Sequence, residues 1–172
     1  MRPMAFLSRR PSITRATAVL FAASLGIPAV AWALDSYLTR ATLKGIRAIE
    51  VVVDGPGPDA ERDGLGTPQI YADAASRLTQ ARITVVPRSP EYLHVVVTAE
   101  KESGDLYAYS IRVELNQPVT LIRNPALAVV SGTWSVEGCG AIATARLSEV
   151  RSRVADLVDT FIKAYREENP KP

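Results

Sequence analysis

At 172 residues, with 47% apolar and 22% charged residues and a formal net charge of +2, the chain has room for one ordinary domain and a short leader. The basic excess does not extend into the domain. Arg2, Arg9, Arg10 and Arg15 all precede residue 16, and without them 16 basic residues face 18 acidic ones, a net of about −2. That removes the main support for a nucleic-acid-binding groove. Cys139 is the only cysteine, so no internal disulfide can form and the core must hold by packing alone.

The N-terminus reads as an export signal: a basic segment to Arg15, an uncharged apolar run from Ala16, and Ala31-Trp32-Ala33 as a small-x-small cleavage site. Cleavage after Ala33 is favoured by Pro28 and the small residues that follow it. The alternative is an uncleaved anchor, since the run to Leu34 is just long enough for a bilayer. Either way the basic end stays cytoplasmic and the domain is exported to the periplasm or beyond. No cysteine adjoins the cleavage site to carry a lipid.

Residues 34–43 form a connection without clear period. Residues 46–53 then alternate as a first strand, with Ile49, Val51 and Val53 on one face. The acidic Gly/Pro-rich stretch 54–66 predicts a solvated loop. Thr67 as N-cap and Pro68 as first helical residue open a helix with Ile70, Ala74, Leu78 and Ala81 on one side. A short strand over 83–86 ends at Pro87, and a third runs over 92–99. The turn at 101–105 makes it an antiparallel neighbour of the fourth.

That fourth strand, 106–123, organises the chain. Tyr107, Tyr109, Ile111, Val113 and Leu115 occupy every second position, which sets the aromatic residues Tyr107 and Tyr109, like Trp134, in the core or at its rim. Pro118 cannot donate a ladder hydrogen bond, so a bulge or bend is expected there. A turn at Asn124-Pro125, a fifth strand over 127–134 and a small-residue loop over 135–143 follow. A long helix over 144–168 closes the domain, with Leu147, Val150, Val154, Leu157, Val158, Phe161 and Tyr165 at helical spacing. Its outer face offers the acid-first pairs Glu149 with Arg153 and Asp159 with Lys163.

The order of elements predicts an α+β fold in two layers: a mostly antiparallel sheet of about five strands with two helices on one face. The organisation is a signal peptide at 1–33, the connection at 34–43, one domain over 44–168 and a disordered tail at 169–172.

Leu43-x-Gly45-Ile46, Arg77-Leu78 with Ala81 and Ile83, Tyr107-x-Tyr109-Ser110-Ile111-x-Val113-Glu114-Leu115-x-Gln117-x-Val119, Arg123-Asn124-Pro125 and Thr133-Trp134 carry a resemblance. Over 43–168 the chain resembles a family of small exported bacterial proteins of unassigned function. In architecture alone it is also similar to the N-terminal domain of TolB and to accessory lipoproteins of outer-membrane assembly. The chain departs from the family pattern at Arg82, where a glycine ending the first helix is expected.

Catalytic inventory is sparse. His94 is the only histidine, so Cys139 with His94 is the one nucleophile and base pair that can be drawn. One Cys and one His half a domain apart make no zinc cluster. The acidic residues Asp54, Asp59, Glu61 and Asp63 lack the spacing of a calcium loop. The reading is therefore a non-enzymatic periplasmic module for protein interaction or envelope assembly, with no catalytic, metal or cofactor residues. Its partner would be another envelope protein, not nucleic acid, and it would touch membrane only if the leader stays uncleaved. The rival class is a small-ligand binder or an enzyme whose site is assembled by tertiary contacts. The candidate interaction surface is the polar, helix-free face of the sheet: His94 and Thr98 on the third strand, Ser110, Arg112 and Glu114 on the fourth.

Overall fold

The computed structural model describes residues 30–102 and 104–170. Its strands are β1 (Val30–Leu34), β2 (Ala48–Asp54), β3 (Thr84–Val85), β4 (Tyr92–Lys101), β5 (Leu106–Leu121) and β6 (Asn124–Ala143). Its α-helices are α1 (Tyr37–Arg40), α2 (Pro58–Arg62), α3 (Thr67–Gln80) and α4 (Val150–Glu168). They build an α+β fold on one six-stranded sheet of order β1-β6-β5-β4-β2-β3. The β4–β5, β5–β6 and β1–β6 pairs are antiparallel, while β2 lies parallel to β3 and β4. The sheet is mostly antiparallel, and α3 is the crossover between the parallel strands β2 and β3.

The sixth strand is β1. It lies across the boundary expected between leader and domain and pairs with residues 135–138 of β6; residues 1–29 lie outside the described residues. The segment 135–143, expected as a loop, is the second half of β6, because its small residues alternate with Val136 and Ile142, which turn toward the helices. The segment 54–66, expected as a solvated loop, holds α2 and buries Ala60 and Leu65. Its carboxylates are separately engaged: Asp54 with His94, Asp59 with Arg62, Glu61 with Thr67, Asp63 with Lys101 and Tyr107.

Thr67 is the first residue of α3 rather than its cap, the Gly66 backbone taking that place. The Thr67 hydroxyl instead donates to Glu61 at 2.6 Å. At the other end Arg82 has φ +65°, in the left-handed region where glycine is favoured. Its N–H donates to Thr79 O at 2.9 Å and that of Ile83 to Leu78 O at 3.0 Å, so the glycine-type helix ending is kept with an arginine in it.

The two long helices pack together on one face of the sheet. Val150, Val154, Leu157, Val158 and Phe161 bury the predicted stripe of α4, while residues 144–149, expected in the same helix, form a 3-10 turn. Trp134 meets Phe161 edge to face, centroids 5.4 Å apart, a favoured aromatic geometry. The expected pairs on the outer face of α4 are replaced by others. Glu149 binds Arg146, Asp159 reaches Arg77 on α3, and Arg151 grips Asp73. These two cross-helix pairs join the helices along their solvent side. Asn169, expected to begin the tail, holds Leu43 O at 2.9 Å and accepts from Gly45 N at 2.8 Å, so it closes the domain.

Candidate interaction surface

The strand register brings the five expected surface residues to one face. His94 stands opposite Glu114, and Thr98 opposite Ser110; Arg112 stands opposite Glu137 on β6. The polar groups there satisfy one another. His94 Nε2 lies 2.8 Å from Asp54 Oδ2, and Arg112 is bracketed by Glu137 at 2.9 Å and Glu114 at 3.7 Å. A hollow of about 150 Å³ lies beside them, lined by Thr98, Ser110, Arg112, Glu137 and Cys139. Cys139 and His94 share this face but sit two strands apart and four residues, about 13 Å, out of step. A thiol and an imidazole at that separation cannot exchange a proton directly.

A larger open groove of about 520 Å³ runs between α3 and α4 past Asp73, Arg77 and Arg151. Both arginines are already engaged by carboxylates. Arg151 donates to both oxygens of Asp73 at 2.8 and 2.9 Å, which raises the guanidinium pKa further, and Arg77 pairs with Asp159. The groove thus offers neither cation free to an anionic ligand. Among the described residues no group of three His, Cys, Asp or Glu is arranged to hold a metal ion, and no helix is long and apolar enough to cross a membrane.

The most exposed apolar surface lies elsewhere. β4 pairs with β5 only as far as Asn116, and β1 covers β6 only along 135–138. Past those points β5 and β6 continue alone as a two-stranded arm, residues 117–131, closed by the turn Ile122-Arg123. Five residues of strand give it a reach of about 17 Å. The predicted irregularity is present but misplaced. Pro118 pairs in step with Val130, and the ladder shifts instead near the arm's tip, where Thr120 faces Ala128 and Leu121 faces Asn124 with 125–127 left over, and at its root, where Thr133 is the extra residue between Gly132 and Trp134. Such a bulge bends and twists a strand. Gln117 locks it, donating to Thr133 Oγ1 at 2.7 Å and to Thr42 O at 3.3 Å.

Of the eight large apolar residues exposed among the described ones, six lie on this arm or on α1 near its root: Tyr37, Leu38, Ile122, Leu127, Val129 and Val130. Ile122 is 100% exposed and Val130 57%. Arg123 is the only charge from Asn116 to Trp134. The root is tied down through Asp35, which precedes α1: its fully buried carboxylate accepts from Trp134 Nε1 at 3.0 Å and from both Nε and Nη2 of Arg40. The Arg40 hydrogen bonds, with the one from Trp134, hold the Asp35 pKa below the ordinary carboxylate value despite burial.

The sequence carried a signal for this arm. Residues 125–130 are Pro-Ala-Leu-Ala-Val-Val, apolar at successive positions. A strand with one solvated face alternates, so such a run requires cover on both sides, and two helices on one face cannot supply it.

No family model matches the chain, and no curated protein does. Solved structures do overlap it. A PelC dodecamer from Paraburkholderia phytofirmans is 16% identical with a TM-score of 0.43, the match covering 81% of this chain and 97% of that one. A minor lipoprotein from Acinetobacter baumannii is 9% identical with a TM-score of 0.39, covering 75% and 99%. The expected likeness to lipoproteins has its counterpart in the second; neither of these two is TolB. At such scores the overlaps carry no argument about function.

Proposed function

We propose that the chain is an exported envelope protein that works without catalysis, by contact with another protein, and that it docks through the β5–β6 arm. The arm carries this reading. An isolated two-stranded ribbon is at best marginally stable in water, and one apolar on both faces is an interaction surface awaiting cover. Export rests on the basic, apolar and small-residue leader. The helix-free face with Arg112 is a weaker docking candidate, since its charges are already paired. The rival reading as a small-ligand binder or enzyme would rest on the groove between α3 and α4, whose two arginines are likewise paired.

A photoreactive residue in place of Val130, compared with one at the exposed Thr79 on α3, tests the docking element in native envelopes. Crosslinked protein is expected from position 130 and little from 79. Equal yields, or none from either, would reject the arm. Mass spectrometry of the exported protein tests processing: a chain starting at Leu34, which keeps only the last residue of β1, is expected, and a retained Arg15 would leave an anchor instead.

A further inference from the structure

We propose that cleavage after Ala33 opens the outer edge of β6 over residues 135–143, and that an uncharged extended segment of a partner protein adds there as an antiparallel strand in the register that β1 shows. This rests on the cleavage reading of the leader and concerns a second surface, separated from the arm by the bulge at Thr133.

β1 straddles the expected cut. Val30 pairs with Gly138, Ala31 with Glu137 and Leu34 with Ser135, with an extra residue of β1 bulged between the last two pairs. Removing the chain up to Ala33 takes away every pairing but the one at Leu34. The residues just past the cut stay in place, because Asp35 accepts from Trp134 Nε1 at 3.0 Å and from Arg40 Nη2 at 2.7 Å. Cleavage therefore strips a strand from the sheet and leaves the fold beneath it tied. Once cut, that strand belongs to a leader whose apolar run stays with the bilayer, and the tether that held it at high effective concentration beside β6 is gone. The edge is then free for another segment.

The vacated edge is built to take a strand. β6 pairs in step with β5 from Trp134 to Ala143 without a bulge, so residues 135–143 give about 30 Å of regular edge. They include neither lysine nor proline, and their one charge, Glu137, is engaged by Arg112 at 2.9 Å. Natural sheets guard such edges or cover them; here β1 is the cover, and the leader carries it away. An added strand would extend a sheet whose helix side α4 already packs against. Val136 is buried on that side, so by parity Gly138 faces it too. Having no side chain, Gly138 leaves a hollow of about 60 Å³ that Tyr109, Ile111, Leu157 and Asp156 also line. Directly opposed residues share a face, so the incoming residue opposite Gly138, the position β1 fills with Val30, reaches this hollow. A small apolar side chain suits it, and an acidic one would meet Asp156.

Isotope-labelled exported protein, titrated with a synthetic peptide of residues 29–33, Ala-Val-Ala-Trp-Ala, tests the edge. Saturable amide shifts centred on 135–138 are expected. Val30→Asp in the peptide, or Gly138→Val in the protein, should raise the Kd about tenfold or more. A Cβ at position 138 meets only Leu157, at 3.7 Å, an ordinary contact, so Gly138→Val keeps the fold, as circular dichroism checks. In native envelopes a photoreactive group on the exposed thiol of Cys139 should capture a protein, and added peptide should suppress that capture. No saturable shift at 135–138, an affinity unmoved by Val30→Asp, or capture that is absent or indifferent to the peptide overturns the proposal while the cleavage reading stands. If the exported protein retains Arg15, the edge is never opened and both fall.

Discussion

The indole N–H of Trp134 donates to the Asp35 carboxylate at 3.0 Å, joining the root of the exposed arm to the segment that follows β1. Asp35 is buried and ionised, and its charge is matched by Arg40. Replacing it with Asn keeps the shape but weakens three hydrogen bonds at once. Asp35→Asn should lower stability at neutral pH by about 1–3 kcal/mol. Because the folded pKa is depressed, the charged form's contribution is present above the unfolded value of about 3.9 and is lost as pH falls through the lower folded value. Urea unfolding at pH 7 and at pH 3 should therefore show the gap between wild type and variant shrinking in acid.

Arg82 occupies a left-handed conformation at the end of α3, which costs a non-glycine residue about 1–2 kcal/mol. Glycine removes that strain while adding freedom to the unfolded chain. Arg82→Gly should thus be net stabilising by about 0.5–1 kcal/mol, or a few degrees in thermal midpoint. Destabilisation would mean that the arginine side chain contributes more than its backbone costs.

Phe161 is 0% exposed and packs edge-on against Trp134, whereas Lys163 two residues on is exposed. Phe161→Ala should cost about 3–5 kcal/mol, and Lys163→Ala under about 0.5 kcal/mol. Chemical denaturation separates the two directly. Equal losses would contradict the assignment of the buried face of α4.

Arg112 bridges two carboxylates on the helix-free face. With Glu114 and Glu137 flanking it, Arg112→Glu gathers three like charges on this face. A loss of about 1 kcal/mol is expected, reduced by salt because the site is half exposed. Thermal unfolding at low and high ionic strength checks it.

The long-range pattern of the domain was legible because it rests on periodicity. Alternation in β4 and β5 and the helical stripe of α4 each point one set of side chains inward. Likewise His94, Thr98, Ser110, Arg112 and Glu114 could be set on one face by parity alone. What parity could not supply was which strand ends find neighbours. The apolar run at 125–130 asks for cover on both sides, but nothing local says that β4 stops at Asn116 and β1 at Ser135, and it is those two endings that leave the strand pair as an exposed arm. The second half of β6 was hidden for a different reason. Gly138 and Gly140 have low strand propensity, and the long neighbour β5 overrides it. Partner choice along α4 also escaped, since spacing along one helix cannot reveal that Asp159 and Arg151 face α3.

The most direct measurement on the arm is thiol labelling of Val130→Cys in native envelopes, with Thr79→Cys as the exposed reference, both in a Cys139→Ser background. If the arm is covered in its working state, position 130 should be protected there and become as reactive as position 79 once the protein is unfolded. Equal labelling at the two positions in the envelope would mean that the arm stands bare, and would contradict the account.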